Sequence, residues 1–451
     1  MAEKVLLINA PSENRYFPGM LPPLGALYLT AVLRKNLIST DFIDLNLSRN
    51  WIKELRVSIN SFKPRLVGIS SNISNTRQAL TAAFIIKSIN KDLIVFLGGP
   101  GPTARLEDYL SGSIDFIIPF EAERIITDFV RAQDRGLIEG VIRCNDGQIV
   151  SGMENLERMP VENLDDLPFP AYDLLDIKGY YETTYKRRPI VSMVTSRGCP
   201  SNCIFCSRAV SGNKWRARSA ENVVDEMEWL KKEIGAREIA IQDDNFTLDQ
   251  ERAQKICELI KKRKLNISWQ LDNGVRVDKL SKDLLALMKE SGCWKIVIAP
   301  EVGDKKEAKY IKKGISFNKF MEASSWCKEI GMVYHANFIM GFPFQNKESL
   351  EKQIDFAIEL DPLIVSFAKL TVFPGTELFD KKKKYKRRDT FNDFSDKNNL
   401  LGKMFCKAHF NFYFRPRKII EIIKTIGIKL FIRGALFVTR AFFRGQANGK
   451  V

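Results

Sequence analysis

Three cysteines stand close together in the run Thr195-Ser-Arg-Gly-Cys-Pro-Ser-Asn-Cys-Ile-Phe-Cys-Ser-Arg208, at Cys199, Cys203 and Cys206. Their spacing is Cys-x3-Cys-x2-Cys, and no fourth cysteine follows nearby. A closed zinc site takes four ligands, commonly as paired Cys-x2-Cys units. A simple [4Fe–4S] carrier also takes four thiolates. Three thiolates leave one iron of a cubane uncapped, so a substrate or cofactor can bind there. The apolar run from Pro189 to Val194 just before the loop reads as a strand. The loop therefore hangs off a strand end, where α/β folds place their chemistry. The competing readings are a zinc knuckle short of a ligand and three unrelated buried cysteines.

This pattern resembles the radical S-adenosylmethionine (SAM) enzymes, whose signature has this spacing and an aromatic residue before the last cysteine, here Phe205. The resemblance implies a [4Fe–4S] cluster on Cys199, Cys203 and Cys206, with SAM chelating the open iron and Phe205 beside the cofactor. It also implies an external electron donor of flavodoxin or ferredoxin type. One electron then cleaves SAM to a 5′-deoxyadenosyl radical.

The remaining cysteines, Cys144, Cys257, Cys293, Cys327 and Cys406, are scattered in apolar or mixed surroundings. That is reduced, cytoplasmic usage, not a disulfide framework. The N-terminus runs straight into a strand, so no signal peptide is expected. No stretch of the sequence is long and apolar enough to span a bilayer. The net charge of +16 is uneven: from Thr376 onward there are 19 Lys/Arg against 6 Asp/Glu, which leaves the rest near neutral. The basic character belongs to the tail.

Strand signals at 4–11, 40–45, 65–71, 93–98 and 115–119 alternate with helical segments. That alternation predicts a doubly wound parallel sheet, Rossmann-like, over residues 1–150. Pro22 and Pro23 open the first helix. The stretch 141–150 reads as a hairpin around Asn145-Asp-Gly147. Residues 151–188 carry prolines and no sustained period, and read as a linker. A second alternating series has strands near 190–195, 237–242, 268–273, 295–300, 333–340 and 364–372. It suits a partial (β/α)6 barrel over 189–376, followed by a basic helical region over 377–451. The expected class is α/β.

The N-terminal half resembles the cobalamin (B12)-binding domain that precedes the barrel in one large radical SAM subfamily. The matching pieces are Pro22-Pro-Leu-Gly25, Ser70-Ser71, Gly98-Gly99 and Phe120-Glu-Ala-Glu123. Relatives commonly carry Gly-Glu-Gly-Glu at the last site, so its glycines have been replaced here. The resemblance implies cobalamin contacts at Ser70, Gly98, Gly99 and Glu121. The chain has only two histidines, His335 and His409, and neither lies in residues 1–150. A cobalamin held there takes no histidine of that domain as its lower ligand, so the base-off form is expected. The barrel half matches in Asp243-Asp-Asn-Phe-Thr247, Ala299-Pro-Glu-Val-Gly303, Ile339-Met-Gly-Phe-Pro343 and Phe373-Pro-Gly-Thr-Glu377.

Several strand-end residues are candidates for chemistry, each with a plainer reading beside it. Asp243 and Asp244 face the barrel mouth, as groups that hold SAM or substrate or take a proton, or as caps of the next helix. Glu301 is a candidate for the SAM pocket. Arg276 is a candidate for pairing the SAM carboxylate, or for a surface ion pair. His335, inside an apolar strand, is a proton donor or acceptor in the cavity or a core histidine bonded to backbone. In the tail, Lys381 to Arg388 is a charge run. Ile419 to Phe443 reads as one basic amphipathic helix, with Lys418, Lys429, Arg433, Arg440 and Arg444 within roughly 80° on a helical wheel. Such a helix lies on an anionic membrane surface or docks on the barrel. The resemblance implies C-methylation of an unactivated carbon through methylcobalamin, with radical cyclisation of the porphyrin-cyclase kind as the alternative. A non-catalytic iron–sulfur or cobalamin sensor is the reading from another class. The substrate is a small or lipid-like molecule, and nucleic acid is not expected because the charge is local.

Overall fold

The computed structural model describes residues 3–12, 21–154, 156–182, 184–381 and 400–428, with Ile432. They form two compact units. The first holds the N-terminal strand, Pro22–Gly179 and Ser207–Arg218; the second holds Tyr180–Cys206 and the chain from Ser219 onward. The stretch read as a linker is thus divided at Gly179, and the segment after the cysteine loop belongs to the first unit.

The first unit runs β1 (Lys4–Asn9), α1 (Leu24–Lys35), β2 (Ser39–Asp44), α2 (Trp51–Phe62), β3 (Leu66–Ser70), α3 (Thr76–Ile89), β4 (Ile94–Gly98), α4 (Pro100–Ala104), β5 (Phe116–Ile118), α5 (Ile126–Arg131), β6 (Ile142–Asn145) and β7 (Gln148–Ser151). Its sheet has the order β2-β1-β3-β4-β5-β6-β7. The first five strands are parallel, and β6 and β7 are antiparallel additions. A sheet covered on both faces needs unbroken apolar strands, which is why Val5, Leu6, Leu7 and Ile8 are all buried. Gly68 is required by packing, since a Cβ there would stand 2.3 Å from the Phe96 ring. The hairpin turns through Asp146 (φ 47°) and Gly147 (φ 77°), the paired left-handed residues that suit strand twist. The strand order reverses between β1 and β3, and sheets of this kind bind ligands at that point, beyond the carboxyl ends.

The second unit runs β8 (Ile190–Met193), α6 (Ala220–Lys232), β9 (Glu238–Ile241), α7 (Gln250–Lys262), β10 (Ser268–Val275), α8 (Lys282–Glu290), β11 (Cys293–Glu301), α9 (Lys305–Tyr310), α10 (Phe317–Ile330), β12 (Val333–Met340), α11 (Lys347–Leu360), β13 (Ile364–Lys369), α12 (Glu377–Lys381), α13 (Leu400–Tyr413) and α14 (Pro416–Ile426). All six strands are parallel and neighbours follow chain order, with β8 and β13 at the edges. This is the winding of a partial (β/α)6 barrel. Helices start where side chains cap them: Ser219, Asp249, Ser281 and Asn346 each accept the N–H three residues on. On β12, Tyr334, Ala336, Phe338 and Met340 are buried against helices, while Val333, His335, Asn337 and Ile339 keep some exposure on the inward face.

The edge strand β13 is shielded by α13. The Tyr413 hydroxyl donates to the Val365 carbonyl (2.7 Å) and accepts from the Val365 N–H (3.0 Å), satisfying the groups an edge leaves open. The single tail helix expected over Ile419–Phe443 is corrected: α14 ends at Ile426, because Gly427 takes a left-handed φ of 84°. Lys418 is not part of a lipid-facing stripe either. Its ammonium is buried between Asp361 (3.0 Å), Glu421 (2.6 Å) and the Pro362 carbonyl (2.9 Å). Lys429, Arg433, Arg440 and Arg444, and Lys382 to Arg388, lie outside the described residues.

Candidate active site

The cysteine loop leaves the carboxyl end of β8 and is pinned at every third residue or so. Asp243, at the end of β9, accepts from the Thr195 N–H (2.6 Å), the Thr195 hydroxyl (2.5 Å) and the Ser196 hydroxyl (2.7 Å). Asp244 accepts from the Gly198 N–H (3.1 Å). Arg276 donates to the Ser201 hydroxyl (2.8 Å) and is itself held by both Asp278 oxygens (3.1 and 2.9 Å). The Ile204 N–H reaches the Ile311 carbonyl (3.2 Å), and the Ile204 carbonyl accepts from Leu378 (2.9 Å). Phe205 meets Phe342 edge-on at 5.9 Å between ring centres. Asp243 and Arg276, read from sequence as groups for substrate or SAM, therefore have their hydrogen bonds committed to holding this loop. Asp243 is also not a helix cap, since that place belongs to Asp249.

All three thiols are free. Cys206 is exposed at the surface, yet the protein packed around its sulfur pushes the thiol up to about 11, with Cys203, Asp244 and Cys199 adding to it. Burial likewise raises Cys203, opposed by the nearby Lys313 and Arg276 charges. The thiols thus stand close enough to feel one another, with cations beside them. Among the described residues no set of three His, Cys, Asp or Glu converges on one point as a single metal ion would demand. A cubane differs, because each thiolate binds a different iron. The donor set fits a three-thiolate [4Fe–4S] site, and iron overrides the raised thiol pKa by deprotonating its ligands outright.

Glu301 ends β11 in a left-handed conformation (φ 69°), a costly state for a long side chain. Burial raises its carboxyl, opposed by Lys313, whose ammonium lies 3.1 Å away. The Glu301 carbonyl accepts from the buried Gln353 amide (3.2 Å). Lys313 was not singled out from sequence, and nothing in its local run distinguishes it from its neighbour Lys312.

His335 lies on the inward face of β12 with its Nε2 2.8 Å from the Ser366 hydroxyl. Burial, and then the Lys295 charge, push its pKa down from 6.5 to about 3. Over that window the unfolded chain binds a proton and the folded chain does not, so stability rises with pH. The unfolding free energy should fall from pH 7 to pH 5, by less than about 1.4 kcal/mol per pH unit from this residue, given its residual exposure. His335→Gln should flatten part of that slope; an unchanged slope would clear His335 of the effect. His409, whose pKa burial also lowers, adds to that slope, while the carboxyls that burial raises, Glu301, Asp244 and Glu238, oppose it.

In the first unit, Ser70 and Gly98 are register partners at the carboxyl ends of β3 and β4. With Gly99 they form a partly exposed shelf of small residues. Gly99 has a φ of 100°, and a Cβ there would stand 2.6 Å from the Ser71 carbonyl, so this glycine is needed for the approach of the two strand ends. Behind the shelf, the Ser71 hydroxyl meets Asn75 (2.8 Å) and Tyr109 (3.1 Å), and Asn75 donates to the Ala10 carbonyl (2.8 Å). That buried network was not legible from sequence. Residues this small would let a flat macrocycle approach the strand ends closely. The Glu121 carboxylate forms a bidentate pair with Arg216 (2.5 and 3.0 Å) and accepts from the Val161 N–H (3.3 Å), all buried.

Residues 193–357 match the Radical SAM superfamily and residues 14–130 match the B12 binding domain. An uncharacterised methyltransferase of Pyrococcus horikoshii is 32% identical over 96% of this chain and 98% of its own length. An anaerobic magnesium-protoporphyrin IX monomethyl ester cyclase of Rubrivivax gelatinosus is 26% identical over 83% of this chain and 69% of that protein. The fold is similar to that of the radical S-adenosylmethionine methyltransferase TsrM from Kitasatospora setae, solved with cobalamin and a [4Fe-4S] cluster. There the TM-score is 0.68 at 20% identity, covering 84% of this chain and 77% of that one. A thiol loop built for an open cubane, set on a barrel, and a small-residue shelf on a doubly wound sheet agree with these relationships: the chain is a radical SAM enzyme, of the branch that also carries a B12 binding domain.

Proposed function

We propose that this enzyme is a cobalamin-dependent C-methyltransferase acting on an unactivated carbon, fed electrons by a flavodoxin- or ferredoxin-type donor. The observation that carries the reading is the near end-to-end relationship with the Pyrococcus methyltransferase. Cyclisation is the second reading, favoured by the likeness to the Rubrivivax cyclase, a protein with sequence beyond what this chain spans. When bound, the cluster and the corrinoid supply an electron and a carried methyl group. The chain's own residues do the placing. Cys199, Cys203 and Cys206 hold the cluster, Asp243 and Arg276 fix their loop, and Glu301 with Lys313 offers an anion and a cation to the zwitterionic end of SAM. Ser70, Gly98 and Gly99 would hold the corrinoid, and residues 1–150 contain no histidine to serve it.

The test is anaerobic incubation of reconstituted protein with methyl-labelled SAM, a reductant and an aqueous cell extract. A labelled product alongside 5′-deoxyadenosine is expected. Deoxyadenosine with no labelled product would sink methyl transfer and favour cyclisation; no SAM cleavage at all would favour a sensor.

We also propose peripheral membrane contact through the C-terminal helices. Among the described residues no helix is long and apolar enough to cross a membrane. Phe410 and Phe414 are exposed and stacked at 4.5 Å, and Ile420 and Ile428 are half exposed beside the exposed Arg417 and Lys424. Each basic residue near an anionic surface contributes about 1 kcal/mol. The full chain should co-sediment with anionic vesicles, and Phe414→Asp with Ile420→Asp should release it. Indifference to vesicles at low salt would end this reading. Point variants serve better than truncation, because α13 shields the β13 edge.

A further inference from the structure

The barrel interior carries a ladder of polar side chains that holding the cluster does not require. A register shift between Trp269↔Cys293 and Gln270↔Lys295 turns Lys295 inward. Its ammonium lies 2.9 Å from Asp272 and 2.7 Å from the Thr184 hydroxyl. Asp272 accepts from Gln242 as well (3.1 Å). Gln270 is fully buried and donates to the Thr184 carbonyl (3.3 Å), while its Oε1 has no hydrogen-bond partner. One layer nearer the cysteine loop, His335 and Ser366 pair as described. Beside them, Asn337 faces Ser366 in register and keeps some exposure.

A barrel interior built only for stability is filled by branched apolar side chains. An interior built for a lipid is apolar too. This one presents an amide, a hydroxyl and an imidazole along its open inward face. A buried acceptor left unpaired costs about 1–3 kcal/mol, and a donor on a bound molecule removes that cost. We propose that Asn337, Ser366, His335 and Gln270 recognise the substrate by hydrogen bonds, and that the substrate is a water-soluble molecule carrying hydrogen-bond donors, not a lipid. Lys295 and Asp272 act as positioning residues that hold the floor on which Gln270 and Thr184 meet. The proposal rests on the enzyme acting on a separate small molecule in the barrel.

Cells that carry the gene are extracted into an aqueous metabolite fraction and an organic lipid fraction. Each is added to protein reconstituted with cluster, cobalamin, SAM and dithionite, and 5′-deoxyadenosine formation is measured. The aqueous fraction should stimulate it. Asn337→Ala and Ser366→Ala should each cut that stimulation about tenfold, with iron content at the wild-type value in both and the melting temperature unchanged in Asn337→Ala, since only Ser366→Ala also removes the partner of His335. Both sites are partly exposed, so neither variant leaves a sealed cavity. Stimulation by the lipid fraction alone, by neither fraction, or undiminished in both variants would overturn the proposal. The labelled methyl group is followed in the same samples. Aqueous stimulation without label supports the pocket and counts only against methyl transfer.

Discussion

Replacing Cys199, Cys203 and Cys206 together by alanine should remove the brown iron–sulfur absorbance and lower SAM cleavage at least about a thousandfold, the scale of losing a unit of catalytic machinery. The three are expected to act as one, because each single loss leaves a cubane with two protein ligands and a second open iron. Iron analysis and deoxyadenosine formation, both under anaerobic conditions, read the two effects. The contrast lies with Cys257, Cys293 and Cys327. They are buried, and Cys293 lies near the other two, so they form a second group of three thiols. Their replacement by alanine should cost stability of the order of 1 kcal/mol each and leave the iron content alone. A full cluster in the first triple variant, or its loss in the second, would mean that the wrong thiols have been assigned.

The largest effect on stability is expected at Glu121. Its side chain and that of Arg216 are 4% and 3% exposed. Removing one member of such a pair leaves an uncompensated buried charge, which costs about 3–5 kcal/mol. Glu121→Gln should therefore lower the melting temperature sharply, in the presence or absence of cobalamin. Glu121→Leu combined with Arg216→Met should recover much of the loss, because two apolar groups of similar volume need no partners. A Glu121→Gln protein that melts normally but loses corrinoid affinity would return this residue to the cofactor.

The residues that were legible in advance are those whose meaning is local. The cysteine spacing, the apolar strands and the Asn-Asp-Gly hairpin each carry their signal within a few positions. Asp243 was visible as an acid at a strand end, but its partners Thr195 and Ser196 lie on another strand's exit, and only the fold brings them within 2.7 Å. The same holds for Arg276 and Ser201, for Glu301 and Lys313, and for Lys295 and Asp272. An ionisable residue near a site looks the same in sequence whether it meets the ligand or holds the loop that does. The tail was misread for a different reason. A helical wheel extrapolates through glycine without a penalty, whereas Gly427 turns the backbone left-handed and starts the count again.

Arg216 also says something about how this protein can have been assembled. The cation that neutralises Glu121 is encoded after the cysteine loop, within Ser207–Arg218, a segment of the first unit that interrupts the sequence of the second. A gene fragment ending at Gly179 encodes every strand of the first sheet and still lacks that cation. The B12-binding half is therefore not a cassette that recombination could lift out and graft onto another barrel by a single cut. It could be exchanged only together with the stretch that returns to it, so the two halves are expected to be inherited as one piece.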